Sequence, residues 1–166
     1  EIRAPQGTVA GVSSFQLQIG KTQIFTPGDQ FDVLVAMNPA ALKGNLQWGK
    51  PGSIIIVDSD SFDAQGLKKA QYDKNPLDGD PELEKFKIIP VPITSLTKNS
   101  LEKLGLDFKS MIRCKNVFAL GMVCWLYSRP LTPTIKTLET KFKKNPLLFE
   151  ANKLALESGF NYAESV

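Results

Sequence analysis

The chain has 166 residues, 42% of them apolar and 22% charged, which allows one core, or a core with a small appendage, and is too short for two domains of ordinary size. Twenty basic against seventeen acidic residues leave a net charge of +3, too small and too dispersed for a nucleic-acid footprint. No apolar run approaches the roughly 20 residues that span a bilayer, and with no histidine anywhere Ser-His-Asp catalysis, Cys-His catalysis and every histidine-containing zinc or iron site are excluded. The first residues, Glu1-Ile2-Arg3-Ala4-Pro5, lack the basic and apolar regions of a signal peptide, which predicts a cytoplasmic protein.

Val12 to Ile19 alternates apolar and polar residues and reads as a strand with one wet face, with Lys21 to Phe25 returning as its hairpin partner. Val33 to Met37 is a continuous apolar run of the kind a parallel strand covered on both faces requires. Asn38-Pro39 breaks it, and proline suits the first turn of a short helix, Ala40 to Lys43. Ser53 to Asp58, preceded by the Pro51-Gly52 turn, is a second central strand. Residues 59 to 85 read as a surface excursion with one helical stretch, Ala64 to Ala70. Lys87 to Ile93 is a third strand, pushed to an edge or a strand end by Pro90 and Pro92, which cannot donate to a ladder.

Thr94 or Ser95 is expected to cap a helix through Leu104, closed by Gly105. Cys114 to Tyr127 predicts a helix apolar on every side, which is buried all round or lies against a partner. Ile135, Leu138 and Phe142 mark an amphipathic helix, and Asn145-Pro146 opens a last one that runs through Leu156 and stops at Gly159. Strands alternating with helical or irregular segments predict an α/β fold, a three-layer α/β/α domain over residues 1–166 whose central sheet is mostly parallel and made mixed by the early hairpin.

In such folds ligands collect beyond the carboxyl ends of parallel strands, here Met37-Asn38-Pro39 and Asp58-Ser59-Asp60. Asn38, held extended before proline, offers a donor and an acceptor in a fixed direction; the bland alternative is that it turns the chain and caps the helix. Asp58 and Asp60 resemble a paired-carboxylate site, and turn formation accounts for them equally well. Arg113, Lys115 and Asn116 at the start of the Cys114 helix would make a pocket for phosphate or a partner's carboxylate, against the alternative of a solvated helix start. The basic cluster Lys141 to Lys144 sits where a helix would end, where cations are favoured by the macrodipole. Cys114 and Cys124 are too far apart along one helix for a disulfide, lie outside metal-ligand spacing, and read as reduced core thiols. No glycine-rich phosphate loop of the dinucleotide or Walker type occurs.

Five segments in order, "EIRAPQGTVAGVSSFQLQI", "DVLVAMNPAAL", "GSIIIVDSD", "RCKNVFALGMVCWLYSRPLTPT" and "KFKKNPLLFEANKLALESGFNYAES", closely resemble the gamma domain of 2-oxoacid:ferredoxin oxidoreductases. The resemblance is strongest to the form fused in the alpha subunit of 2-oxoglutarate:ferredoxin oxidoreductase. It implies a complex that decarboxylates a 2-oxoacid on thiamine pyrophosphate with magnesium, passes electrons through iron-sulfur clusters to ferredoxin, and releases an acyl-coenzyme A. It also implies that the cofactors belong to partner thiamine-binding alpha and beta subunits or domains, and that this part carries no catalytic residue or metal. By resemblance Asn38 lies on the family's "NPAAL" loop and Arg113 and Asn116 on its "R-x-x-N" helix start, walls of the coenzyme A passage or of an interdomain contact, with Lys115 beside them. Family gamma domains begin with a strand and a G-x-G-G-x-G turn ahead of the E-x-R segment. Since the sequence opens on that segment at Glu1, a fragment of a larger subunit is expected.

The sequence therefore leaves a non-catalytic domain of an oxidoreductase complex, a purely structural partner docking through the apolar helix, and a free-standing nucleotide-binding module. The last needs a phosphate loop that the sequence does not contain.

Overall fold

The computed structural model describes residues 12–21, 23–25 and 28–166. The chain divides into two compact units, Glu1–Val91 and Pro92–Val166. In the first unit β1 (Phe31–Ala36), α1 (Pro39–Asn45), β2 (Gly49–Asp58), α2 (Ala64–Lys69) and β3 (Lys87–Val91) follow one another. The sheet has the order β1-β2-β3 with both pairs parallel. β2 takes the middle because Ile55, Ile56 and Val57 are apolar on both faces and all are buried. Pro90 stands opposite Val57 on an outer strand, where its missing N–H interrupts no inner ladder.

The expected α/β class stands, and the expected hairpin does not. Residues 12–21 and 23–25 form no strand, so the sheet among the described residues is parallel throughout, without the antiparallel element that would make it mixed; residues 22, 26 and 27 lie outside the described part. Phe15 and Phe25 are 82% and 83% exposed. Alternation states which face of a strand would be covered, but a strand also needs a neighbouring backbone, and periodicity does not supply one.

Ala36, Leu42, Leu46, Ile55, Val57, Phe62, Leu83 and Phe86 form the core of this unit. Gly49 sits under the Phe31 and Phe86 rings, where a Cβ would strike both. The excursion after β2 is held by local caps: Asp63 Oδ1 accepts from the Gly66 N–H at 2.7 Å, Asn75 Oδ1 from Leu77 at 3.1 Å and Asp80 Oδ1 from Glu82 at 2.9 Å. Lys43, in the last turn of α1, donates to the carbonyls of Ala70 and Gln71 at 3.1 and 2.7 Å, placing a cation on the carbonyl end of α2. The same ammonium lies 4.8 Å from the Tyr72 ring centroid. Burial pushes the Tyr72 hydroxyl up to about 12, with the Asp80 and Glu82 carboxylates adding to it.

The second unit is helical: α3 (Ile93–Leu101), α4 (Phe108–Arg113), α5 (Lys115–Leu126), α6 (Thr132–Lys141) and α7 (Pro146–Ser165). The cap of α3 is Pro92, two residues before Thr94 and three before Ser95, and no side chain caps it. A 3-10 turn, Glu102–Leu104, follows, and Gly105 closes it at φ 64° as expected of a glycine there. Lys141 falls in the last turn of α6, in keeping with the macrodipole reading of the basic cluster. Asn145 caps α7 through Leu148 N–H at 3.1 Å with Pro146 at the first position.

Gly159 does not end α7, which continues to Ser165. It is buried inside the helix because a Cβ there would collide with the backbone carbonyl of Phe118, and a Cβ on Gly121 would collide with that of Leu156. α5 and α7 therefore approach backbone to backbone. α5 buries Phe118, Ala119, Gly121, Met122 and Cys124 but leaves Leu120, Trp125 and Tyr127 at 41%, 38% and 39% exposure, so it is not covered on every side. Its end carries a two-bond carbonyl cap: Arg129 N–H reaches Cys124 O at 2.7 Å and Ser128 N–H reaches Trp125 O at 2.9 Å, with Ser128 at φ 51°.

Gly159→Ala is expected to lower stability by about 2 kcal/mol, because the helices must separate to admit one methyl. Ser128→Gly should raise it by roughly 0.5–1 kcal/mol, since serine is strained in the left-handed region. Urea denaturation of the two variants should move in opposite directions; a neutral Gly159→Ala would deny the close approach.

Candidate functional site

Parallel pairing sets the carboxyl ends of β1 and β2 side by side, with Ala36 opposite Val57. The next residues are Met37-Asn38 on one strand and Asp58-Ser59 at the end of the other. Asn38 is extended at φ −165° and ψ 165°, as the following proline requires. Its Oδ1 accepts from the Ala41 N–H at 2.8 Å, and its backbone carbonyl accepts from Leu42 N–H at 3.2 Å. The capping role is therefore real, and the part of Asn38 left to meet a ligand is the Nδ2 donor.

Asp58 is fully buried and accepts from Ser61 Oγ at 3.0 Å, while Asp60 is exposed in the 3-10 turn Ser59–Ser61. The bond from Ser61 to Asp58 and the 3-10 turn that carries Asp60 are what the turn reading of this pair expects. Among the described residues no group of three or more His, Cys, Asp or Glu gathers into a metal-binding arrangement. A shallow open hollow of about 210 Å³ lies between Pro76, Leu77, Gly79, Asp80, Leu83, Glu84 and Ile88, below the roughly 300–1,000 Å³ usual for small-molecule pockets.

Arg113, Lys115 and Asn116 belong to the second unit. Arg113 is the last residue of α4 and Lys115 the first of α5, with Cys114 as the single residue between them. Cys114 has near-helical angles, φ −81° and ψ −10°. Its N–H donates to Met111 O at 3.0 Å and its carbonyl accepts from Val117 and Phe118 at 2.9 and 3.1 Å. The expected helix start is thus a joint between two helices, and Arg113 sits on a carbonyl end rather than an amide end. The Arg113 cation therefore sits where the α4 dipole favours it. Arg113 and Asn116 are exposed and Lys115 is half-buried.

Sequence reading missed α4. The signal was Asp107, whose Oδ1 accepts from the Ser110 N–H at 3.0 Å and whose Oδ2 accepts from Ser110 Oγ at 3.2 Å. Those two hydrogen bonds hold the Asp107 carboxyl below the ordinary aspartate range, with Arg113 and Lys109 adding to the effect. Cys114 and Cys124 are free and buried, and burial pushes both thiols up, away from the thiolate form that reacts.

Residues 5–162 match the family described as pyruvate ferredoxin/flavodoxin oxidoreductase. The chain belongs to that family. It is 47% identical over 165 residues to the 2-oxoglutarate oxidoreductase subunit KorA of Mycobacterium tuberculosis, covering 99% of this chain and 25% of that protein. The chain thus spans about a quarter of the length of this curated relative. Among solved structures, the 2-oxoglutarate:ferredoxin oxidoreductase of Magnetococcus marinus, with 2-oxoglutarate, coenzyme A and succinyl-CoA bound, superposes with a TM-score of 0.61 at 24% identity. That likeness covers 87% of this chain and 22% of the other and establishes a shared fold. The family match accounts for the long ordered resemblance of the five segments, which no single short motif carries.

Asn38→Ala is expected to cost about 1 kcal/mol through loss of the α1 cap, and Asn38→Asp, which keeps the accepting oxygen, much less. Thermal melting of both variants checks this; equal losses would mean that Oδ1 is not what matters at Asn38.

Proposed function

We propose that this chain is the gamma part, not itself binding thiamine, of a complex that oxidatively decarboxylates a 2-oxoacid, 2-oxoglutarate, to acyl-coenzyme A. Electrons pass to ferredoxin. The observation that carries the reading is the 47% identity to a 2-oxoglutarate oxidoreductase subunit along nearly the whole chain. On this reading residues 1–166 form one domain of a larger subunit, working with thiamine-binding alpha and beta subunits or domains in the cytoplasm, a reducing compartment that suits two buried free thiols.

Thiamine pyrophosphate, magnesium and iron-sulfur clusters, when bound by the partners, supply the decarboxylation and electron-transfer chemistry. Two buried cysteines and no histidine are too few ligands for an iron-sulfur cluster, which takes four. The residues of this chain do fit coenzyme A as a substrate. Arg113 and Lys115 offer cationic donors of the kind that hold a diphosphate or a 3'-phosphate, and Asn116 adds an uncharged donor. The role is to bind and orient the carrier while bond making occurs on partner residues.

A purely structural role is the second reading, favoured by the exposed apolar residues of α5. The two are separated by assaying coenzyme A-dependent 2-oxoacid oxidation in the assembled complex. Arg113→Ala and Asn116→Ala should raise the KM for coenzyme A roughly tenfold or more, as expected when charge-assisted hydrogen bonds are lost. kcat at saturation should change little. Wild-type KM with weakened assembly would favour the structural role instead.

A further inference from the structure

Five of the twelve exposed large apolar side chains among the described residues fall between Phe15 and Phe25. Val12, packed with Ala40, Ala70 and Tyr72, fixes the point from which this segment leaves the core of the first unit. Phe15, Leu17 and Ile19 then alternate with Gln16 and Gln18. The amide side is turned back on the chain: Gln16 Nε2 donates to the Gly28 carbonyl at 2.8 Å, and the Gln18 side chain lies beside the same glycine. The apolar side faces water, with Phe15 at 82% and Leu17 at 67% exposure. Among the described residues, Ser13 to Ile19 make no backbone hydrogen bond, so a row of N–H and C=O groups is unpaired as well.

This stretch has the side chains of a strand, and what it lacks is a neighbouring backbone. It also lacks the charges and prolines that keep an edge strand single, since neither occurs from Val12 to Gly20. A second copy of this chain supplies only half of what is needed. A two-fold axis at Leu17 would set Phe15 opposite Ile19 and Leu17 opposite itself, pairing the backbones. Both strands of that ribbon would carry their apolar side chains on the same open face, and a two-stranded ribbon is marginal in water. The occupant must bring a strand edge and an apolar surface together, as the border of a sheet does. Roughly three quarters of the curated relative, and more of the solved one, lies outside the part that this chain matches. Protein tethered to the segment reaches it at a high effective concentration that a separate copy does not have.

We propose that residues 13–19 are a docking strand, added to the border of a sheet in the remainder of the same subunit, with Phe15, Leu17 and Ile19 covered by apolar side chains beside that border. Backbone pairing supplies the register and the apolar face the stability, with no charge on this side of the contact. The inference rests on the reading of this chain as one domain of a larger subunit, but not on any coenzyme A contact.

The test uses the complete subunit that contains this chain. Amide hydrogen exchange of residues 13–19 should be slowed on the order of a hundredfold or more against the unstructured rate. Leu17→Asp should abolish that protection and Leu17→Val keep it, while the β2 amides at Ile55 to Val57 report that each variant is folded. If Leu17→Asp does not fold, the wild-type exchange and the cross-link below decide. With Phe15 replaced by the photo-reactive benzoylphenylalanine, illumination should join it to a peptide outside residues 1–166 of the same subunit. Unprotected exchange in the folded wild type overturns the proposal, as does protection that survives in folded Leu17→Asp. A cross-linked dimer overturns it by making a second copy the occupant, and a cross-link to residues 28–166 by making it this chain's own fold. None of these readouts needs activity. A subunit that shows the protection and the cross-link but oxidises no 2-oxoacid therefore overturns the functional reading alone.

Discussion

The second unit is organised by the backbone-to-backbone approach of α5 and α7. Gly121 and Gly159 are placed so that each helix lies against a carbonyl of the other, Leu156 in one case and Phe118 in the other. Interiors packed to crystal-like density cannot absorb an added methyl at such a contact without moving a helix. Two consequences follow for the rest of the unit. The face of α5 turned to α7 is fixed in rotation, and with it the direction of every other residue on α5, including Lys115 and Asn116. The carbonyl cap at Ser128 and Arg129 then ends α5 with its last carbonyls satisfied.

In the first unit the corresponding constraint is the all-apolar β2. Ile55, Ile56 and Val57 are buried, as a central strand requires, and β2 pairs in parallel with a neighbour on each side. This sets the carboxyl ends of the strands in one row and brings Asn38 beside the end of β2. Asn38 serves a structural need first: Ala41 N–H is one of the donors a helix leaves unpaired, and Oδ1 supplies its acceptor.

What could be read from sequence alone divides along physical lines. Continuous apolar runs identified the parallel strands, and Pro90 identified an outer one, because both depend on local composition and on the presence or absence of an N–H. Caps with strong side-chain oxygens, Asn38 and Asn145, were equally readable. Gly159 was misread as a terminator because glycine at a helix end and glycine at a helix contact look alike until the opposing Phe118 carbonyl is in place. The early hairpin failed for the complementary reason: Phe15, Leu17 and Ile19 have strand alternation, but pairing is a non-local property. α4 was missed because six residues are too few to show a period, and its one signal was a single aspartate. Arg113 was expected at a helix start, yet α4 precedes α5 and Arg113 lies on a carbonyl end, a placement that depends on the short helix the sequence did not reveal.

The chain has no histidine, and burial raises the pKa of both its thiols. What it does have is exposed cationic and amide donors and a rotationally fixed helix to mount them on. Those resources suit the other half of catalysis, in which binding energy from a remote part of a substrate is spent on orienting the reacting atoms held elsewhere. A carrier with phosphates at one end and a thiol at the other offers such a handle, since its charged end can be gripped far from the thiol. The same donors become more selective as water is excluded around them, because charge-assisted hydrogen bonds strengthen in low dielectric.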